Sequence, residues 1–398
     1  MNKLQTFCID QQIQQSTINL YTSCVKLYEQ ICGLTLDELI KEADTEEEQG
    51  IRWKNRKLKE RLIHFRNYLF ANKSEGTAKR YLSCIKTIYT HFEIEWQPLP
   101  SFNSKNIDKT FKMDYEDLLN INEIKDAYYE ANNVTKCIIL FAISSGLSKV
   151  DMLNMSVSDF IRACEPYLGT DVELISKLKS LKDKDIIPCF RGARQKTKSK
   201  YTTFCSPEAS EHIIQYLLGR DAQIREKYNE SDEEERKKLP SKLDESMALF
   251  DVSDSHLQYT FRKINNKLNL GTVGKFTKLR CHMLRKYHAS TLLNSEIITW
   301  TVEEIDTLQG RSMDITHQAY FKNSKDKLFN KYRSCVDELM LFKEVNGVDK
   351  ETVEKLEKEN NFYKKEIVKN ENKLEEQQKT IREIIENQRE LEKMLGLQ

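Results

Sequence analysis

The chain has 398 residues, of which 39% are hydrophobic and 31% charged, and a formal net charge of +1. That is material for two or three domains with buried cores, and six prolines with twelve glycines leave little room for long disordered linkers. No run approaches the ~18 apolar residues of a membrane span, so no membrane partner is expected. Met1 to Leu20 also lacks the basic-then-apolar pattern of a secretory leader.

Ten cysteines form no CxxC pair, and several, such as Cys24, Cys84 and Cys137, fall inside apolar-periodic stretches. A cytosolic chain with reduced, mostly buried thiols is the expectation. Cysteines and histidines never cluster at ligand spacing, so no metal is expected. The small net charge is a sum over unlike regions. From Lys177 to Lys200 there are nine Lys or Arg against two Asp, and local basic surface of that kind is what binds phosphate.

In chain order, residues 1–98 read as a helical domain. Gln14 to Leu27 carries Ile18, Tyr21, Val25 and Tyr28 at helical spacing. Arg56 to Phe70 carries Leu58, Leu62, Phe65 and Leu69. Thr77 to His91 carries Tyr81, Ile85 and Ile88. Residues 99–113, with Pro100 and little periodicity, read as a linker. A second domain over 114–345 starts with helices at Leu118 to Ala131, Asn133 to Ile143 and Asp151 to Met155. Ile186 to Phe190 and Lys200 to Phe204 then read as strands flanking a basic hairpin. Ser206 caps a further helix that opens on Pro207 and runs to about Leu218. Residues 225 to 245 read as a solvated excursion, and helix returns over 254 to 345, interrupted by Gly271 to Gly274. From Val353 to Leu395 a heptad runs without proline, so the tail 349–398 reads as a coiled coil with a weak, partly polar seam. A single solvated helix held by Glu–Lys pairs is the alternative there.

Several side chains could together handle a phosphodiester. His282 and Arg285 are three apart on a predicted helix, so both reach one face. A guanidinium there grips phosphate with two donors, and an imidazole adds a donor or carries a proton. Lys196 stands on the basic hairpin, where an ammonium reaches into a groove. Tyr320 supplies a phenolic oxygen, weakly nucleophilic at its ordinary pKa of about 10 and in need of nearby cations. Taken singly, each has a plain structural explanation: a core histidine, a salt-bridging arginine, one tyrosine among seventeen.

Five pieces occur in order: Ile143 to Met155 around Gly146-Leu147, Arg194 to Thr197, Cys281 to Tyr287, Leu308 to Arg311, and Ala319-Tyr320-Phe321. Over roughly residues 10 to 340 this set resembles the tyrosine recombinase (phage-type integrase) family, with an ending similar to its archaeal and mobile-element branch. The resemblance implies a mainly α fold with a small β-hairpin or sheet. A helical, SAM-like core-binding domain would precede a mixed α/β catalytic domain, and the coiled coil would follow as an addition to the family core. It implies a DNA integrase or recombinase that cuts and rejoins double-stranded DNA through a 3′-phosphotyrosyl link. It further implies no cofactor, a homo-oligomer (a tetramer on paired sites), and a cytoplasmic place alongside the DNA of a prokaryotic or viral-host cell. Tyr320 would be the nucleophile, Arg285 the second arginine of the phosphate clamp, His282 its companion and Lys196 the donor to the leaving oxygen. Two positions depart from the family. Ser148 stands where its first arginine is expected, with Lys149 next to it as a possible monodentate substitute and Asp151 in the acidic place. Arg311 stands where the third box has histidine or tryptophan. A DNA-binding relative that has lost strand cleavage is the alternative function, and a purely structural helical protein is a third. Tyr287 and Tyr332 are the nearest alternative nucleophiles.

Overall fold

The computed structural model describes residues 2–101, 113–170, 172–312 and 324–342. They fall into two compact units. One holds residues up to Asp117 together with Thr272–Phe276, and the other holds Leu118–Gly271 together with residues from Thr277 onward. No helix among the described residues is long and apolar enough to cross a membrane.

The first unit is helical: α1 (Lys3–Asp10), α2 (Gln15–Cys32), α3 (Leu36–Glu48), α4 (Lys57–Asn72) and α5 (Glu75–His91). Periodicity finds α2, α4 and α5. The short α1 and the acidic α3 are set by capping boxes, Asn2 with Gln5 and Thr35 with Glu38, in which the cap side chain and the side chain of the third helical residue satisfy each other's backbone N–H. The apolar stripes meet in one core around Tyr28, Leu62, Phe65, Ile85 and Tyr89, where the Tyr28 and Tyr89 hydroxyls lie 3.2 Å apart.

The second unit is built around α7 (Asn133–Ser145), which follows α6 (Ile121–Glu130). Every residue of α7 from Cys137 to Ser145 is buried, the mark of a helix surrounded by others. Next come α8 (Lys149–Leu153), α9 (Val157–Ala163), α10 (Leu174–Leu181) and the antiparallel strands β1 (Cys189–Ala193) and β2 (Lys200–Phe204). These pair from Cys189↔Phe204 to Ala193↔Lys200. Then follow α11 (Pro207–Glu230), α12 (Glu233–Arg236), α13 (Asp254–Lys267), α14 (Cys281–Leu293), α15 (Val302–Gln309) and α16 (Lys325–Cys335); between α13 and α14 the chain forms a second small pair, β3 (Thr272–Val273) and β4 (Phe276–Thr277), whose residues up to Phe276 belong to the first unit. Helices α11 and α14 pack on α7, and α15 packs on β2.

The β2 strand and the Ser206 cap lie where the sequence places them. Several boundaries move, α8 among them, which starts at Lys149 because Ser148 caps it and ends at Leu153. The first strand begins at Cys189 because Ile186 and Ile187 are core residues outside the ladder, and Pro188 has no N–H to give it. Helix α11 continues past Gly219 to Glu230, since Arg220 donates to Ala248 O at 2.6 Å and buried Asp221 accepts from Leu243 N at 2.8 Å and from Arg225 at 2.6 Å. Tertiary anchors outweigh the local cost of one glycine, about 1 kcal/mol. The coiled-coil expectation for 349–398, and most of the linker, lie outside the described residues.

Candidate active site

Arg285, among the candidate residues, is held at the carboxyl end of α7. A helix leaves its last carbonyls without intrahelical partners. Here three successive ones are taken by side chains from distant elements. Ser144 O accepts from Tyr332 Oη at 2.9 Å, Ser145 O from Thr203 Oγ1 at 2.6 Å, and Gly146 O from Arg285 Nη1 at 2.9 Å. Helix α15 ends in the same manner: Gln309 O accepts from Arg285 Nη2 at 2.9 Å. Both helices stop on left-handed glycines, Gly146 at φ +64° and Gly310 at φ +62°. Arg285 therefore bridges two helix carboxyl ends, where aligned peptide dipoles favour a cation.

The register of α14 puts Arg285 there. Its start is fixed by buried Asn265, which accepts from Leu279 N at 2.9 Å and donates to Gly271 O at 3.1 Å. The buried stripe then runs through Cys281, Leu284, Arg285, His288 and Leu292. Burial, followed by the charges of Arg194 and Arg311, lowers the Arg285 pKa to about 10, so the guanidinium stays charged at neutral pH.

Asp151 organises the next layer. This buried carboxylate accepts from Ser148 Oγ at 2.6 Å, Gln195 N at 3.0 Å and Arg194 Nε at 3.3 Å. Ser148 caps α8. Lys149, beside it, pairs with Asp254 of α13. Arg311 is exposed and lies 3.5 Å from Asp306, with its backbone N–H on Asp306 O at 2.9 Å. His282 presents its ring at the solvent edge, one turn from Arg285 but off the buried stripe. Partial desolvation, then Lys286, Arg280, Arg285 and Arg311, pull its pKa below the ordinary value. Lys196 stands exposed at the tip of the β1–β2 hairpin, whose turn closes with Arg194 N donating to Ser199 O at 2.9 Å and Lys198 at φ +56°. Thus Arg285, His282 and Arg311 lie close enough for their charges to act on one another, while Lys149 and Lys196 stand apart, engaged with Asp254 and with solvent. Tyr320 lies outside the described residues. Tyr332 is wholly buried, with its hydroxyl committed to Ser144 and its pKa raised well above the ordinary value by burial, which removes it as a nucleophile.

Two functional neighbours escape sequence reasoning. His288 is fully buried, and Gln309 Nε2 donates to its Nδ1 at 3.0 Å and to Arg285 O at 3.1 Å. Burial, then Arg285 and Arg311, lower its pKa to about 3, so it is a neutral packing and positioning group. A Cβ on Gly146 would come within 2.4 Å of its ring. The second is Arg194, which the sequence raises only as part of the basic Arg194 to Thr197 piece; what escaped was its approach to Asp151.

No protein-family model matches the sequence, and no curated protein matches it. Among solved structures, the chain is similar to a lambda integrase tetramer bound to a Holliday junction, at 12% identity over 81% of this chain and 77% of that one, with a TM-score of 0.42. It is similar to the Tn1549 transposon integrase in complex with transposon right end DNA, at 12% identity over 84% and 99%, with a TM-score of 0.40. It is also similar to the XerH site-specific recombinase bound to its difH substrate, at 14% identity over 68% and 69%, with a TM-score of 0.39. Such low scores leave the functional reading to stand on the site's own residues.

Proposed function

We propose that this chain binds duplex DNA and exchanges its strands by transesterification, with Tyr320 as the nucleophile. The observation that carries the reading is the fixed guanidinium of Arg285, held on Gly146 O and Gln309 O with Arg194 and Arg311 close enough to depress its pKa. Like charges gathered in a partly desolvated recess repel one another, and an anion with several oxygens relieves that repulsion. A phosphodiester fits that description, and its nonbridging oxygens gain charge as it is attacked.

In the proposed step, Tyr320 Oη bonds to phosphorus and the bond to the 5′-oxygen breaks. The leaving electron pair stays on that oxygen, which takes a proton from Lys196. The phenol's proton passes to His282, whose lowered pKa keeps a neutral imidazole available at pH 7. One phosphodiester replaces another, so no energy source is needed, and the freed hydroxyl reverses the step on a partner strand. Assembly as a homo-oligomer on paired sites, aided by the heptad from Val353 to Leu395, completes the proposal.

A binding-only role is the second reading. It is favoured by Ser148, which caps a helix at the place where the family resemblance leads one to expect a guanidinium. One experiment decides. Nicked genomic DNA of the host is incubated with the chain and denatured, and protein-linked fragments are recovered. DNA joined to Tyr320 by mass spectrometry is expected from the parent, and none from Tyr320→Phe, which should bind duplex within about threefold of the parent because only one oxygen is removed. A parent that retains duplex yet yields no linked DNA establishes the binding-only role. Linked DNA from Tyr320→Phe refutes the choice of nucleophile.

A further inference from the structure

We propose that Arg194, positioned by Asp151, is a second phosphate-gripping guanidinium that works beside Arg285 and supplies the contact for which the first box has no arginine. This rests on the phosphodiester reading above but adds a residue and a division of labour to it.

Arg194 follows the last β1–β2 pair, Ala193↔Lys200, and its own N–H closes the hairpin on Ser199 O. Its backbone is therefore fixed, and its side chain, only 19% exposed, crosses to α8. There Nε meets Asp151 Oδ2 at 3.3 Å. The carboxylate is itself held by Ser148 Oγ and by the N–H of Gln195, so it orients the arginine from a fixed point. The aliphatic stem lies on Gly310, where a Cβ would come within 2.9 Å of Arg194 Cγ. Glycine at 310 serves the left-handed turn and also clears the path of this side chain.

The two arginines differ in what remains to be bonded. Arg285 has already placed one hydrogen bond from each terminal nitrogen on a carbonyl. Arg194 uses Nε alone, and among the described residues its two terminal nitrogens make no hydrogen bond. A fork of that geometry takes two oxygens of a phosphate side by side. Its charge is near enough to Arg285 to lower that residue's pKa, so both face one neighbourhood. Lys149 is the competing source of this contact, and its ammonium is bound to Asp254. An ammonium also lacks the planar fork.

Inorganic phosphate is the probe, titrated into the full chain with nitrogen-15 arginine while the Nε–H signals are followed. Arg194→Lys identifies the Arg194 signal by its loss. The signals of Arg194 and Arg285 are expected to shift together along one binding curve. Arg194→Lys is expected to weaken phosphate binding by about tenfold, because it keeps the charge and loses the fork. Lys149→Ala, which removes a partly exposed ion pair, should stay within about twofold. An Arg194 signal that does not move, or parental phosphate binding by Arg194→Lys, overturns the proposal. The trapping experiment separates this inference from the reading beneath it. Shared phosphate binding without any covalent DNA keeps Arg194 and sinks strand transfer. Covalent DNA formed by Arg194→Ala at the parental rate keeps strand transfer and sinks Arg194.

Discussion

The cluster around Arg285 has a buried floor and an exposed rim built on opposite principles. On the floor, Arg285, His288 and Gln309 are buried, and the donors of Arg285 and Gln309 are aimed at named acceptors before any ligand arrives. On the rim, His282 and Arg311 are exposed, and apart from them Lys196 is exposed at a hairpin tip that Lys198 turns in a left-handed conformation. The floor couples folding to site geometry, since the same carbonyl that ends a helix also aims a cation. The rim contributes charge with little bearing on the fold. A substitution on the floor should therefore cost stability first, and one on the rim should cost function alone.

The largest effect is expected from Arg285→Ala. It strands the carbonyls of Gly146 and Gln309 and should lower unfolding stability by about 3 kcal/mol, read by urea denaturation. A loss below about 1 kcal/mol would mean that water replaces the guanidinium and that the floor is no stability element. Next is Gly146→Ala, which forces a side chain into left-handed backbone and against the His288 ring, at a cost of about 2 kcal/mol. Adding His288→Ala should recover part of that loss, because the clash is removed and only the backbone strain remains. Strict additivity of the two changes would show that the contact is not felt.

A smaller effect follows from pH. His288 has a folded pKa near 3, below its unfolded value of about 6.5, so the unfolded chain binds the extra proton between those limits. Stability rises with pH through that window and is lost as pH falls below about 6.5. Between pH 7 and pH 5.5 the histidine should account for about 1 kcal/mol, seen as the difference in slope between the parent and His288→Phe. Identical slopes would place a partner or water on the ring. The smallest stability effect belongs to Lys196→Ala, under about 0.5 kcal/mol, since the side chain is exposed at a hairpin tip. Its cleavage rate should nevertheless fall far more than its duplex affinity, because a proton donor to the leaving group acts on the reaction and not on docking. Equal losses would make Lys196 a phosphate contact only.

Much of the helical frame was legible from periodicity. Leu58, Leu62, Phe65 and Leu69 are all buried as their spacing requires, and the β2 strand and the Ser206 cap fall in place. Arg285 was legible because its chemistry and its motif coincide. His288 was not, since a histidine three residues beyond an arginine carries no mark of burial. The reach of α11 beyond Gly219 was hidden as well, because Ala248 and Leu243, which anchor it, lie more than a turn's length away in sequence.

The sequence by itself determined the local matters: which segments are helical, where caps and left-handed glycines end them, and which residue types could handle a phosphate. Those follow from interactions within a few residues along the chain. Only the tertiary structure decided that three carbonyls of one helix end would be taken by Tyr332, Thr203 and Arg285. It alone placed Arg194 on Asp151, 43 residues away, while Lys149 turned to Asp254. Such pairings depend on how packed helices orient buried polar groups, and a buried donor or acceptor must find its partner wherever the fold supplies one.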